Sequence, residues 1–166
     1  MGAAALATGC ASEENPSPVE VRVASIDELE AGPVEFELPG VGRCFAARLQ
    51  QPADYGQGPD ESVVAFSSLC PHMGCPIELD AVDVQTGRFG PCRCHQSLFD
   101  IRRDGRMVHG RASSSLARVD LRIADGEVFA VGASRLAFGA ALDSETALTT
   151  PLDVIEATED PNGAAR

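Results

Sequence analysis

The chain has 166 residues, with 25 Asp and Glu against 13 Lys and Arg, giving a formal net charge of −12. That length suits one domain with room for a small subdomain and is enough to bury a real core. The charge argues against nucleic-acid binding, which needs a basic face; it is compatible with docking a basic partner such as a small cytochrome, or with no more than solubility, and no run of about eighteen apolar residues is there to span a membrane as a helix.

The chain contains 16 Gly and 11 Pro, scattered along its length, which favours short strands and turns over a helical bundle. Residues 1–18 begin with a small apolar run, Gly2 to Gly9, followed by Cys10 and a polar stretch. This resembles the tail of an export signal. Leu6-Ala7-Thr8-Gly9-Cys10 resembles a lipoprotein cleavage box, with Cys10 as a lipid anchor; a disordered Ala-rich tail is the alternative. A cofactor-bearing exported protein would use the twin-arginine route, although no Arg pair precedes this segment.

Val19 to Val23 is β-prone, and Ser25-Ile26-Asp27-Glu28 has the S-x-x-E form of a capping box, so a single helical turn is expected there. Val34 to Leu38 alternates apolar and charged residues as a half-buried strand does, and Pro39-Gly40 turns the chain. Arg43 to Leu49 is a second strand candidate, with Cys44 a small buried core residue. Pro52 to Glu61 reads as a loop and Ser62 to Phe66 as a third strand. Further on, Ala117 to Ile123 and Glu127 to Val131 read as strands joined by Asp125-Gly126, a strong hairpin signal. Residues 141–166 are polar without a clear period and read as a C-terminal extension. The expected architecture is all-β, with a metal-binding insertion between its strands.

Six cysteines stand at 10, 44, 70, 75, 92 and 94, and four of them cluster with two of the three histidines. That grouping suggests a metal site before it suggests a disulfide scaffold. The first motif is Cys70-Pro71-His72-Met73-Gly74-Cys75, and the second is Cys92-Arg93-Cys94-His95-Gln96-Ser97. One Cys and one His from each loop supply two thiolates and two imidazoles. A [2Fe–2S] centre that replaces two of four thiolates by histidines on one iron needs such a set, and the reduced negative charge raises its potential. A structural zinc site is the alternative, since zinc also accepts two Cys and two His. The C-x-x-H spacing favours Cys92 over Cys94 as ligand without deciding it. Cys75 and Cys94 occupy matched positions in the two loops, and a disulfide between them would tie the loops together. Closing such a loop is worth roughly 3 kcal/mol, and the bond would persist only outside the reducing cytosol.

Both loops resemble the pattern of the Rieske [2Fe–2S] family: Cys70-x-His72 with Cys75, then Cys92-x-Cys94-His95. A closer likeness, over roughly residues 30 to 140, is to the small subunit of arsenite oxidase. It is carried by Val64 to Pro76, Phe99-Asp100, Val128 to Gly132 and Phe138-Gly139. The small subunit of iodate reductase belongs to the same group. The resemblance implies a Rieske fold over residues 19–140: an antiparallel β-sandwich or barrel with a cluster-binding subdomain at about 67–112. It implies Cys70, His72, Cys92 and His95 as cluster ligands and electron transfer as the task, with no catalytic residue in this chain. It also implies a periplasmic location, a large catalytic subunit carrying molybdopterin and an iron–sulfur cluster, and a soluble cytochrome c or azurin-like copper protein as electron acceptor. Many family members have a proline-rich third loop. Here Gly110 to Ser115 lacks proline, so a looser cover over the cluster is expected.

Ser97 matches a family hydroxyl that donates to a cluster sulfur, its alternative being a turn hydroxyl bonded to backbone. Phe99 stands where high-potential respiratory members have a tyrosine, so one donor is absent. His72 and His95 are expected to be exposed at their outer nitrogens, with a potential that falls as pH rises. His109 is assigned no ligand role. A respiratory Rieske protein of a cytochrome bc-type complex is the competing reading, and that family uses an N-terminal membrane helix. An oxygenase needs two further histidines for a second iron site, and only His109 remains.

Overall fold

The structure, a computed structural model, describes residues 20–135 and residue 137. The export-signal reading of 1–18, the lipid anchor at Cys10, the Phe138-Gly139 likeness and the 141–166 extension lie outside the described residues. In chain order the elements are β1 (Val21–Ser25), α1 (Ile26–Ala31), β2 (Val34–Leu38), β3 (Gly42–Arg48), β4 (Val63–Ser67), β5 (Val82–Asp83), β6 (Arg88–Phe89), β7 (Leu98–Asp100), β8 (Arg106–His109), β9 (Arg118–Ala124) and β10 (Glu127–Ser134).

Six strands form one antiparallel sheet in the order β1-β10-β9-β4-β3-β2. Its edge strands β1 and β2 come together, so the sheet nearly closes into a barrel. The segment between β4 and β9 carries a second antiparallel sheet, β5-β6-β7-β8. The expected all-β architecture is the one observed, and both cysteine motifs lie in the segment inserted between β4 and β9. The second sheet itself was not foreseen. Two of its strands are two residues long, too short to display a period.

Local chemistry explains the element boundaries. Ser25 Oγ accepts from the Glu28 N–H at 3.1 Å, and the Glu28 carboxylate accepts from the Ser25 N–H at 2.6 Å. This capping box starts a helix of six residues. It also sets the end of β1 at Ser25; the β-prone stretch from Val19 forms strand from Val21 on, Val19 itself lying outside the described residues. Asp125 and Gly126 have φ values of 51° and 79°, the paired left-handed geometry of a tight hairpin turn.

β3 and β4 are buried on both faces. Cys44, Ala46, Val63 and Ala65 point into the barrel core, while Phe45, Ala47, Val64 and Phe66 point into a second core shared with the inserted sheet. The second core also holds Phe89, Phe99, Ile101, Leu116, Cys70 and Cys92. The Phe45 ring lies 4.4 Å from that of Phe89 and 6.2 Å from that of Phe66, centroid to centroid. Each such ring withdraws enough apolar surface from water to contribute roughly 2–3 kcal/mol. The barrel thus provides a rigid floor under the cysteine motifs. Cys44 is the buried core residue expected. Burial, with some repulsion from Glu37, pushes its thiol up to about 12, so it stays protonated.

Candidate metal centre

Both motifs are built on the same hydrogen-bond frame. In the first, the Cys70 N–H donates to the Cys75 carbonyl at 2.9 Å, and the Gly74 N–H donates to the Cys70 carbonyl at 2.8 Å. In the second, the Cys92 N–H donates to the Ser97 carbonyl at 2.8 Å, and the Gln96 N–H donates to the Cys92 carbonyl at 2.8 Å. Gly74 and Gln96, the fifth residue of each motif, both take positive φ, 71° and 59°. Cys70 is therefore equivalent to Cys92, and Cys75 is equivalent to Ser97, not to Cys94. The sequence reading that paired Cys75 and Cys94 as matched positions is corrected on this point. The bond between them nevertheless forms: Cys75 and Cys94 are joined at an S–S distance of 2.06 Å, across 19 residues of chain. It ties the two loops together through non-equivalent positions.

The disulfide settles which thiols remain. Cys70 and Cys92 are free and buried, each 1% exposed. The sulfurs of Cys75, Cys92 and Cys94 lie within 4.8 Å of one another, but two of them form the disulfide and are not thiolate donors. A zinc reading of that triplet fails on its chemistry. Burial pushes the Cys70 thiol up, and the neighbouring Cys92 thiol adds to this; the His72 backbone N–H and the Ser97 hydroxyl oppose it.

The two imidazoles converge. His72 Nδ1 and His95 Nδ1 are 3.1 Å apart, and the rings stand at 87° to each other. Two nitrogens each about 2.1 Å from one shared metal would be about 3.0–3.4 Å apart at angles between right and tetrahedral. The pair therefore fits a single metal ion bound through both Nδ1 atoms. His95 is exposed and His72 partly so, while Cys70 and Cys92 are buried. The donor set is thus polarised, with thiols inside and imidazole edges at the surface. It fits a [2Fe–2S] group with one iron toward each pair of donors. His109 lies on β8, opposite Leu98, and is exposed.

Ser97 is fully buried, and its Oγ accepts from the N–H groups of Arg111 and Ala112 at 3.1 and 3.0 Å. Both acceptor positions are taken by backbone donors of the third loop, so the hydroxyl proton is not used in these bonds. The reading of Ser97 as a hydroxyl bonded to backbone is the one observed. The third loop, expected to be loose for want of proline, is anchored by those bonds and by the buried Ala112. Phe99 is fully buried in the core that contains Cys70 and Cys92. Sequence reasoning missed Gly90 and Gly110. An added Cβ at Gly90 would lie 2.8 Å from the Ser97 carbonyl oxygen, and one at Gly110 would lie 2.4 Å from Ser97 Cα. These close approaches depend on a fold that brings three loops together, so no spacing along the chain signals them.

The sequence model of the Rieske [2Fe–2S] domain family matches residues 20–120. Among curated relatives, iodate reductase subunit IdrB of Denitromonas iodatirespirans is 32% identical over 121 residues, covering 72% of this chain and 65% of that protein. IdrB of Pseudomonas sp. (strain SCT) is 32% identical over 120 residues, covering 71% of this chain and 62% of that protein. The chain thus spans a little under two thirds of the length of these relatives. The cytochrome bc1 complex Rieske iron-sulfur subunit of Streptomyces lividans is 38% identical over 65 residues, covering 39% of this chain and 36% of that protein. The soluble domain of Rieske protein II (soxF) from Sulfolobus acidocaldarius superposes with a TM-score of 0.64 at 23% identity, covering 82% of this chain and 87% of that one. This last likeness is one of fold.

Proposed function

Because this chain belongs to the Rieske [2Fe–2S] domain family, we propose that Cys70 and Cys92 hold one iron of its cluster, and His72 and His95 the other. The chain is an electron-transfer subunit, and its cluster supplies a one-electron carrier with a potential of about −150 to +300 mV. The observation that carries the assignment is the polarised donor set: two buried free thiols behind two converging imidazoles that reach the surface. Around it the residues of this chain have distinct tasks. Phe66 of the barrel floor, with Phe89 and Phe99 of the inserted sheet, excludes water from the sulfur side. Ser97 directs its hydroxyl proton toward Cys70, which favours the more negative, reduced state. The imidazole edges of His72 and His95 give an electron its way in and out.

The whole assembly we read as a molybdopterin oxidoreductase of the arsenite oxidase and iodate reductase type, with this chain as its small subunit. Support comes from the likeness to both IdrB proteins, which spans over two thirds of the chain, and from the resemblance of Val64 to Pro76 to the arsenite oxidase small subunit family. In this reading a large catalytic subunit does the chemistry on the oxyanion, and a soluble cytochrome c or azurin-like protein exchanges electrons with the complex. A periplasmic location belongs to the same reading, since the Cys75–Cys94 bond would be reduced in the cytosol. Among the described residues no helix is long and apolar enough to cross a membrane. The likeness to the bc1 subunit favours a respiratory complex as second reading, over a shorter part of the chain.

The test is purification of the native chain from its source. Iron and acid-labile sulfide in equal amounts, a [2Fe–2S] EPR signal on reduction, and a co-purifying molybdenum-containing large subunit are expected. Zinc in place of iron would overturn the cluster assignment. A co-purifying cytochrome b would select the respiratory reading.

Phe99 makes a second expectation. A hydroxyl there would supply one more donor beside the sulfur side of the site. One hydrogen bond is worth about 1 kcal/mol, and 59 mV corresponds to about 1.4 kcal/mol for one electron. Phe99→Tyr should therefore raise the midpoint potential by some tens of millivolts in protein-film voltammetry. An unchanged potential with the cluster intact would remove Phe99 from any tuning role.

A further inference from the structure

Charge is distributed unevenly over this acidic chain. Its net charge is −12, and it contains 25 Asp and Glu, yet the three segments that meet around the imidazoles, residues 69–77, 89–99 and 105–117, contain none. The arginines divide in the same way. Among the described residues, Arg22, Arg43, Arg48, Arg88, Arg102, Arg118, Arg122 and Arg135 each sit within ion-pair distance of a carboxylate. Arg93, Arg103, Arg106 and Arg111 are exposed and have no such partner among the described residues. Two of these four stand beside the imidazole edge. Arg93 lies between Cys92 and Cys94, two residues before His95. Arg111 is held there by its own backbone N–H, which donates to Ser97 Oγ at 3.1 Å. Exposed Met73, next to His72, adds an apolar contact to the same edge.

Unpaired guanidiniums are not needed for the fold at these positions, since neither side chain is buried. Loops around the imidazoles that contain arginine and no carboxylate, in a chain otherwise rich in carboxylates, suit a partner of opposite charge. We infer that the His72/His95 edge, flanked by Arg93 and Arg111 with Met73 as its apolar contact, docks onto an acidic face of the catalytic subunit; this rests on the small-subunit reading given above. Carboxylates on that face would pair with Arg93 and Arg111, steer the approach and fix the orientation of the imidazoles toward the partner's redox centre. The same arrangement repels the matching edge of a second copy of this chain, which disfavours edge-to-edge self-association.

The experiment measures binding of the cluster-loaded chain to its large subunit at about 50 and 300 mM salt, where screening lengths shrink well below the reach of surface charge. Wild-type affinity should fall with salt. The pair Arg93→Glu and Arg111→Glu should raise Kd more than tenfold, and the milder pair Arg93→Gln and Arg111→Gln should raise it less, with iron content per chain unchanged in both. Arg103→Glu carries a like charge change in the turn at the far end of the β7–β8 hairpin and should change Kd less than threefold. Wild-type binding that is indifferent to salt, or equal weakening by Arg103→Glu, overturns the acidic contact while leaving the small-subunit reading in place. Failure of the wild-type chain to bind the large subunit at any salt overturns both.

Discussion

Gly110→Ala should yield a chain that does not retain its cluster. Gly110 takes a φ of +101°, and an added Cβ would lie 2.4 Å from Ser97 Cα, 2.6 Å from Ser97 N and 2.7 Å from the Gln96 carbonyl oxygen. All three neighbours are backbone, in the segment that follows His95, so none can swing aside as a side-chain end would. The left-handed backbone costs an Ala about 1–2 kcal/mol, and overpacking against fixed backbone costs roughly 1–3 kcal/mol more. Relief requires the third loop to lift. That breaks the bonds from Arg111 and Ala112 to Ser97 Oγ and opens the buried side of the site. Gly40→Ala is the control: its φ is +76°, but nothing lies within 4 Å of the added Cβ. It should cost only about 1 kcal/mol. Visible absorbance per chain and Tm, compared across the two variants, decide the matter. Equal Tm and equal cluster content in both would show that the third loop is not packed against the second as described.

The second large effect is expected from the Cys75–Cys94 bond. Cys75→Ser with Cys94→Ser removes the only covalent tie between the two loops among the described residues. The bond spans 19 residues, for which the chain-entropy model gives roughly 3 kcal/mol. In a chain of this size that corresponds to about 6–12 °C in Tm. The effect on the site should exceed the effect on the fold. Each loop keeps its own hydrogen-bond frame, but the convergence of His72 and His95 depends on the loops holding their mutual position. Iron content should drop and the EPR signal should broaden or vanish, while far-UV circular dichroism of the barrel changes little. Treating the wild-type chain with a strong dithiol should reproduce the loss. A double variant with full iron content and wild-type Tm would mean that the barrel floor alone positions the loops.

Much of the barrel was legible because its strands obey simple periods. Val34 to Leu38 alternates and is β2 to the residue. Asp125-Gly126 marks the β9–β10 hairpin because few residues tolerate two successive left-handed conformations. The capping box at Ser25 was legible for the same kind of local reason: two side chains satisfy two helix-end groups within four residues. The inserted sheet was not legible. Its strands are short, and Phe89, Phe99 and Ile101 are buried by the barrel, not by a repeating pattern of their own. β4 reads as a plain apolar run because both of its faces are covered.

At the site, the residue types and spacings alone singled out Cys70, His72, His95 and one of Cys92 and Cys94 as a candidate donor set, since few groups want two thiolates and two imidazoles from paired loops. The choice between Cys92 and Cys94 was a matter of distance in space. It was resolved by the disulfide that takes Cys94 out of contention.

By itself, then, the sequence determined the chemistry: which atoms can grip metal, where short strands and turns must fall, and the overall negative charge. Those are properties of residue type and near-neighbour spacing. Only the tertiary structure decided that the thiols lie inside and the imidazoles outside, that the Ser97 hydroxyl anchors the third loop, and that Arg111 is brought against the second motif. Each of these requires segments tens of residues apart to meet. That meeting is set by the closure of the barrel and the burial of its outer face, which no local pattern encodes.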